Sequence, residues 1–354
     1  MKKLLFLVNP VAGAGAGAAL AGRIAQEMRT RMPEDLYDIM FTTADAAAQA
    51  RDLGPRYEIV AATGGDGTIS RIARGIAGLP EPPRLGVIPL GTGNDCARSL
   101  GLLPVRRRGG LAGLIDLISS GTASPVDMLT FGAEHMFINY AGLGRDAAIA
   151  AAFDRVRRRA PFRALCAHGG SRLLYFFIGL AGARHTCAPG IALSYQAPDG
   201  STHALQFPHR LCQLVIGNID SYGGGVRISS RTRMDDGLFE VAIMRGSARW
   251  VLLHLGRLTG RAYDSFGPAD AVIQARQLAL QPAACSTAQV DGETVAIEPH
   301  ACLDVRFAAR IQMIAALPQG PAWHQRVFKQ YGGHCNAGAE NPLTSLQKQA
   351  TIKT

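Results

Sequence analysis

Three short apolar runs, each ending in a glycine-rich polar turn, constrain the fold of this chain most strongly. A run of this length bounded by turn residues is typical of a buried strand. The runs are Leu4–Val8, Ile59–Ala62 and Leu85–Leu90, and the turns that follow them are Asn9–Gly13, Thr63–Thr68 and Gly91–Asp95. Apolar residues at helical spacing follow the second turn. The pattern predicts a doubly wound α/β sheet with all three turns at the carboxyl ends of parallel strands, where they form one ligand crevice.

A strand, a glycine turn and a helix start together present free backbone N–H groups and a positive helix end to a phosphate. Gly-Asp-Gly turns also occur for geometry alone, and a phosphate site is favoured because three glycine-rich turns follow three strands in order. Asp66 stands among the glycines, where a carboxylate would meet a magnesium–phosphate complex. The predicted phosphate-binding residues are Asn9, Gly13, Gly64, Gly65, Asp66, Gly67, Thr68 and Thr92.

The pattern changes after Ser124–Met128 to short strands and turns, interrupted by one helical insertion at 147–182. We therefore expect an N-terminal parallel-sheet nucleotide domain at 1–128 and a C-terminal β-sandwich domain at 129–304. Residues 305–317 are expected to return to the first domain, and 318–354 form a polar tail. The basic stretch Arg106–Arg108 is predicted to lie in a loop before a helix at 111–118.

Composition narrows the class of protein. The 354 residues carry a formal net charge of +10, which suits anionic lipids, anionic substrates or nucleic acid. No basic–aromatic nucleic-acid motif accompanies the charge, so we predict no nucleic-acid partner. The seven cysteines include no C-x-x-C pair, which predicts reduced thiols, no structural zinc and a cytoplasmic location. The apolar start is too short for a signal peptide.

Five motifs carry a family resemblance. NPVAG, GGDGT and PLGTGND, followed later by Met234–Leu238 and Val290–Glu293, resemble the diacylglycerol kinase catalytic-domain family. That family includes bacterial lipid kinases and the related sphingosine and ceramide kinases. GGDGT alone is shared with NAD kinases and phosphofructokinases, whereas PLGTGND with a late DGE is much more specific. The resemblance implies an ATP-dependent lipid kinase that uses Mg²⁺.

The resemblance also assigns roles to individual residues. Glu293 is the expected general base for the acceptor hydroxyl, although Asp291-Gly292 alone would predict a hairpin with Glu293 in solvent. Asp66 is expected to hold catalytic magnesium. Asp95 either joins that network or is the N-cap of the helix starting at Cys96. Thr43 matches a threonine that the family places against the nucleotide, but the loop here is short.

A second magnesium site is implied by the loop at Met234–Leu238. In the resembling bacterial kinases this loop binds the ion through one carboxylate and two backbone carbonyls. Carried over, the ligands are Asp236 and the carbonyls of Arg233 and Leu238, an oxygen set that suits a hard cation. The alternative from sequence alone is a simple turn before a strand.

One departure from the family pattern stands directly after GGDGT. The family commonly has an apolar residue and then Asn-Glu, whereas this chain has Ser70-Arg71 after Ile69. Arg71 reverses a charge, which puts the nucleotide contacts at that helix start in question.

The insertion pairs a cationic segment with an apolar one. Arginines from Arg155 to Arg163 precede bulky residues up to Ile178, a combination that favours contact with an anionic bilayer. A solvated basic face beside a core helix is the alternative. We therefore expect a peripheral enzyme on the inner face of the membrane, with diacylglycerol as acceptor and a homodimer left open. The remaining alternatives are a sphingosine or ceramide kinase, a kinase of soluble metabolites resembling NAD kinase, and a non-catalytic nucleotide-binding protein that docks on membranes.

Overall fold

The computed structural model describes residues 2–157, 159, 174, 177–178, 190–207, 211–265, 272–284 and 286–316. All of them belong to one compact unit, Met1–Gln319. The α-helices in this part of the chain are α1 (Ala16–Arg29), α2 (Ala46–Leu53), α3 (Asp66–Ala77), α4 (Asp95–Ser99), α5 (Leu102–Ser120), α6 (Arg145–Arg157) and α7 (Ser247–Thr259).

The strands follow in chain order. The first nine are β1 (Lys2–Val8), β2 (Tyr37–Phe41), β3 (Tyr57–Gly64), β4 (Arg84–Pro89), β5 (Ala123–Phe131), β6 (His135–Phe137), β7 (Tyr140–Gly144), β8 (Ile191–Gln196) and β9 (Thr202–Phe207). The remaining nine are β10 (Gln213–Gly217), β11 (Ser221–Tyr222), β12 (Val226–Arg227), β13 (Phe239–Met244), β14 (Val272–Ala275), β15 (Gln277–Pro282), β16 (Ser286–Val290), β17 (Glu293–Ile297) and β18 (Leu303–Ile314).

The N-terminal strands form the predicted parallel sheet, in the order β2-β1-β3-β4. Its central strands are apolar from Leu4 to Val8 and from Ile59 to Ala62 because helices cover both faces. Leu4–Val8 and Val60–Ala62 are completely buried. Helix α3 buries Ile69, Ile72 and Ile76 against the sheet, as their helical spacing predicts. The fold class of this half is confirmed.

The C-terminal half is the predicted antiparallel β-sandwich. Six strands form one sheet, β14-β13-β10-β7-β16-β17. It packs against strands β5, β6, β8, β15 and β18 around a second apolar core that includes Leu129, Phe137, Leu214 and Leu278. Strand β18 links the two halves, because it pairs with β4 at Met313–Leu85 and also with β5 and β15. The domain boundaries themselves stay a prediction.

Two local predictions need comment. Arg106–Arg108 lie within α5, not in a loop, and the helix has a kink at Gly110, where φ is 62°. Within the insertion the structure describes α6, Arg159, Leu174, Phe177 and Ile178, and these residues do not test its membrane contact. No described helix is long and apolar enough to span a bilayer.

Candidate active site

The three glycine turns meet at the carboxyl edge of the parallel sheet. Asn9 N donates to Thr63 O at 2.9 Å, and Leu90 N donates to Gly64 O at 2.8 Å. The second and third turns touch through their backbones, since a Cβ on Gly91 would lie 2.7 Å from Gly65 Cα. The Asn9 amide donates to Thr68 Oγ1 at 2.8 Å. The predicted crevice is therefore formed by the backbones of the three glycine turns, which approach each other closely beside the start of α3.

Asp66 and Asp95 face one small space. A Cβ on Gly93 would lie 3.0 Å from Asp66 Oδ2 and 3.3 Å from Asp95 Oδ2. Burial, followed by the nearby charges of Asp95 and Asp291, raises the pKa of Asp66 well above its usual range. Anionic groups crowded in this way suit a cation bound between them, because a positive charge would remove both the repulsion and the desolvation cost.

Asp95 is not the N-cap of its own helix, so that interpretation is wrong. Asn94 occupies the cap position, and the Asp95 carboxylate turns away to accept hydrogen bonds from three groups of the C-terminal half. These are Ser221 Oγ at 2.5 Å, Gly224 N at 2.9 Å and Tyr140 Oη at 3.4 Å. Asp66 instead accepts from Cys96 N at 3.2 Å and caps α4 from another element.

Asp291 of the DGE motif fastens the sandwich to helix α3. Its buried carboxylate accepts from Ser70 Oγ at 2.5 Å and from the backbone N–H groups of Ile138, Asn139 and Tyr140 at 2.9–3.1 Å. Burial raises the pKa of Asp291, and these hydrogen bonds oppose the shift. Ser70, one half of the departure from the family pattern, is therefore committed to the DGE turn.

Glu293 lies at the first position after that turn. Asp291 and Gly292 both have positive φ, 48° and 88°, as a type I′ hairpin requires. The Glu293 side chain is 45% exposed and sits beside two arginines of α3, with Arg71 Nε at 3.6 Å and Arg74 Nη2 at 3.4 Å. The hairpin interpretation therefore holds, and the hairpin turn lies beside the second glycine turn, since a Cβ on Gly67 would lie 3.9 Å from Asp291 O. Arg71, the other half of the departure, pairs with the expected base.

The loop at Asp236 is acidic, as a cation site requires, but the Asp236 carboxylate accepts a hydrogen bond from within the same loop. Asp236 Oδ1 accepts from Leu238 N at 3.0 Å, and Arg233 is turned to Asp235. Burial raises the pKa of Asp236, and the Asp235 and Asp127 charges add to the rise. One carboxylate with carbonyls fits a weakly held, hydrated Mg²⁺. Within the described residues, no group of three or more acidic, His or Cys side chains could hold a metal.

The remaining predicted contacts are Gly13, Thr92 and Thr43, and all three residues are exposed. Thr92 and Gly13 are exposed at the third and first turns. Thr43 is exposed beyond the end of β2, where its hydroxyl donates to Asp45 O at 3.0 Å. The structure thus brings the glycine turns, Asp66, Asp95 and the DGE hairpin together and leaves Thr43 beside the edge strand.

Several residues of the site were not predicted. Ser221 and Tyr140 belong to the second half of the chain and reach Asp95 only through the fold. One signal was visible in the sequence, the run Gly223–Gly225, whose three glycines all have positive φ. A triple glycine before a short strand marks a tight turn that can approach a buried carboxylate.

Fold and site together define a class. Glycine turns gathered at the carboxyl edge of a parallel sheet, two carboxylates beside them and a second domain attached to them are the arrangement expected of a phosphotransferase. Two family models match the chain in succession, the diacylglycerol kinase catalytic domain at residues 3–131 and the diacylglycerol kinase accessory domain at residues 136–294. The chain belongs to the diacylglycerol kinase family, and it is an ATP-dependent lipid kinase.

Individual relatives agree with this assignment. The chain is 26% identical over 246 residues to a diacylglycerol kinase of Bacillus subtilis strain 168, covering 69% of this chain and 74% of that one. It is 28% identical over 250 residues to a diacylglycerol kinase of Staphylococcus epidermidis, covering 70% and 72%. A crystal structure of a diacylglycerol kinase from Bacillus anthracis strain Sterne shares the fold, with a TM-score of 0.61 at 18% identity over 91% of this chain and 98% of that one.

These findings also bear on the alternatives. A match to the accessory domain argues against a soluble-metabolite kinase of the NAD-kinase type. The non-catalytic interpretation was based on the Ser70-Arg71 departure. Since both side chains contact the DGE hairpin, the departure gives no support for a decayed site.

Proposed function

We propose that this enzyme transfers the γ-phosphoryl group of ATP to the free hydroxyl of diacylglycerol, giving phosphatidic acid and ADP. The observation that supports this proposal is the attachment of the DGE hairpin to α3 through Ser70 and Asp291, at 2.5 Å. With that contact, Glu293 lies beside Arg71 and Arg74 of the same helix whose first residues belong to the proposed phosphate-binding turn. A lipid hydroxyl bound beside Glu293 would therefore meet a phosphate bound at Gly64–Thr68.

In the proposed reaction Glu293 accepts the proton of the lipid hydroxyl while the hydroxyl oxygen attacks the γ-phosphorus of ATP. The bond between the γ-phosphorus and the β,γ-bridging oxygen breaks, and ADP leaves. Both arginine contacts of Glu293 are longer than a normal charge-assisted hydrogen bond, so its oxygens remain accessible to a hydroxyl donor. Backbone N–H groups of the three turns hold the phosphates, with Asn9 and Thr68 fixing the first turn against the second.

Magnesium is part of the proposal. Asp66, with Asp95 beside it, would hold the ion that accompanies ATP, and that ion would neutralise charge on the transferring phosphoryl group. The crowded, partly buried carboxylates fit this use. Asp236 and the carbonyls of Arg233 and Leu238 would hold a second ion that orders the loop before β13.

The working place that we propose is the inner face of the membrane, reached peripherally from the cytoplasm. The net charge of +10 and the basic start of the insertion support attraction to anionic phospholipid. Thr43 and Thr92 as nucleotide contacts and a homodimeric assembly stay predictions.

A lipid panel tests the proposed substrate. Purified protein would be assayed with ATP and magnesium against diacylglycerol, monoacylglycerol, sphingosine and ceramide in matched detergent micelles. We expect phosphatidic acid as the main product. If sphingosine or ceramide is phosphorylated in preference to diacylglycerol, that lipid is the substrate instead. ATP turnover that no lipid changes would contradict the proposal.

A further inference from the structure

A pocket lined by arginines lies on the outer face of the sheet, formed mainly by strands β8, β15 and β18, which carry none of the proposed catalytic residues. It has a volume of about 540 Å³ and an open mouth. Gly237 forms part of its wall, and the side chains around it are Gln196, Arg276, Gln277, Arg306, Phe307 and Arg310.

Strand register explains why these side chains converge. Gln277 of β15 lies directly opposite Arg306 of β18 on one side and Gln196 of β8 on the other, so the three side chains share one face. The neighbouring residues Val305 and Leu278 point into the apolar core. The face that carries Arg306 is therefore the solvent face.

A bulge in β18 brings in two further residues. The pairing of β18 with β5 shifts register between Phe307 and Ala309. Such a bulge interrupts the alternation of faces, which lets Phe307 and Arg310 approach the same pocket as Arg306. Phe307 is 45% exposed, and the Arg310 guanidinium lies 5.8 Å from the centre of its ring.

The three arginines of the pocket differ in how many of their nitrogens have hydrogen-bond partners. Arg310 is paired with buried Asp127 at 2.5 Å and also donates to Asp235 O. Arg276 donates its Nε to Pro198 O at 3.2 Å, and its outer nitrogens have no partner among the described residues. Arg306 makes no side-chain hydrogen bond or ion pair to another described residue. Within this part of the chain two cations are therefore available to a ligand, and the Gln277 amide can donate beside them, whereas Gln196 Nε2 already donates to Gly200 O at 3.4 Å.

We propose that this pocket binds the phosphomonoester headgroup of an anionic membrane lipid. Arginines bind phosphate oxygens with paired N–H groups, and an exposed phenylalanine beside them suits the boundary between headgroups and acyl chains. Phe307 is the reason for choosing a lipid over a soluble phosphate. The inference rests on the proposed function only in taking a bilayer as the place where the enzyme works.

Vesicle binding tests the site without any catalysis. The full chain would be titrated with phosphatidylcholine vesicles with and without phosphatidic acid, in EDTA and without nucleotide. Arg276→Gln with Arg306→Gln should lose roughly thirtyfold in affinity for the phosphatidic acid vesicles. Arg23→Gln with Arg51→Gln, a matched change at two exposed arginines of α1 and α2, should stay near the parent. Equal binding by both double variants would overturn the proposal.

The variant Phe307→Ser distinguishes a lipid headgroup from a soluble phosphate as the ligand of the pocket. This variant should weaken vesicle binding and leave the affinity for glycerol 3-phosphate unchanged. Equal effects on both ligands, or an effect on neither, would overturn the lipid headgroup as the occupant. Arg310 is left in place because removing it would strand the buried Asp127 carboxylate. A detergent-micelle kinase assay on the same variants, expected to be unchanged, separates failure of this site from failure of the proposed reaction.

Discussion

Ser70 Oγ donates a hydrogen bond to Asp291 Oδ2 at 2.5 Å, joining two residues that are 221 positions apart in the chain. The contact ties the helix that follows GGDGT to the turn that carries the expected base. Three backbone N–H donors of its own half hold the same carboxylate, and Asp291 is thus one of the points at which the second half of the chain is attached over the glycine turns.

Removing the Ser70 hydroxyl should therefore affect stability and catalysis together. Ser70→Ala takes one donor from a buried carboxylate, and we expect a loss of about 1.5–3 kcal/mol in the free energy of unfolding, measured with urea. Turnover should fall because the DGE hairpin is less firmly held. Ser120→Ala is the control, a helical serine that donates to Asp116 O at an exposed position. Parent-like stability of Ser70→Ala would show that the contact is not important.

The sequence predicts features formed by residues that are close together in the chain, and it does not predict contacts between residues that are far apart. The parallel sheet and its glycine turns are local patterns, with apolar runs of strand length and turn residues in fixed order, and they were confirmed. The partners of Asp95 could not be predicted, because Ser221 lies 126 residues away and only the folded chain brings it to the carboxylate. The start of α5 was missed, since Arg106–Arg108 were assigned to a loop whereas the helix begins at Leu102 and continues to Ser120 across a kink at Gly110.

Arg74 should act as a positioning residue for Glu293. Their contact of 3.4 Å is partly exposed, so Arg74→Gln should change the free energy of unfolding by less than about 1 kcal/mol. We expect turnover to fall several-fold with little change in the KM for ATP, because the phosphates are bound elsewhere. Arg84→Gln breaks a comparable exposed pair with Glu58 and should leave both parameters unchanged. A rise in the KM for ATP alone would contradict the assigned role.

The loop at Asp236 should couple stability to magnesium. A site that binds only the folded state adds about 2.7 kcal/mol to the free energy of unfolding at an ion concentration 100-fold above its Kd. Asp236→Ala should lose most of that increment and part of its activity, and excess magnesium should partly restore both. Asp199→Ala, at an exposed hairpin turn, is the control. Magnesium stabilisation equal to that of the parent would exclude the site.

Glu240 should make stability depend on pH. Its side chain on β13 is buried, and this burial raises its pKa to about 8 from an ordinary 4.5. A carboxyl whose pKa is higher in the folded state gives its full stabilisation below about pH 4.5, and that stabilisation is lost as the pH rises to about 8. In EDTA, the unfolding free energy of the parent should therefore fall relative to Glu240→Gln across this window. A difference that does not change with pH would contradict the assignment.

The central claim is the division of labour between Glu293 as base and Asp66 as the residue that holds magnesium–ATP. The most direct test measures ATP affinity beside turnover of diacylglycerol for Glu293→Gln and Asp66→Asn. Glu293→Gln should lose roughly 10²–10⁴-fold in turnover with ATP affinity nearly intact. Asp66→Asn should lose turnover and magnesium-dependent ATP affinity together. Turnover of Glu293→Gln within a few-fold of the parent would contradict the account and make Asp95 the next carboxylate to test.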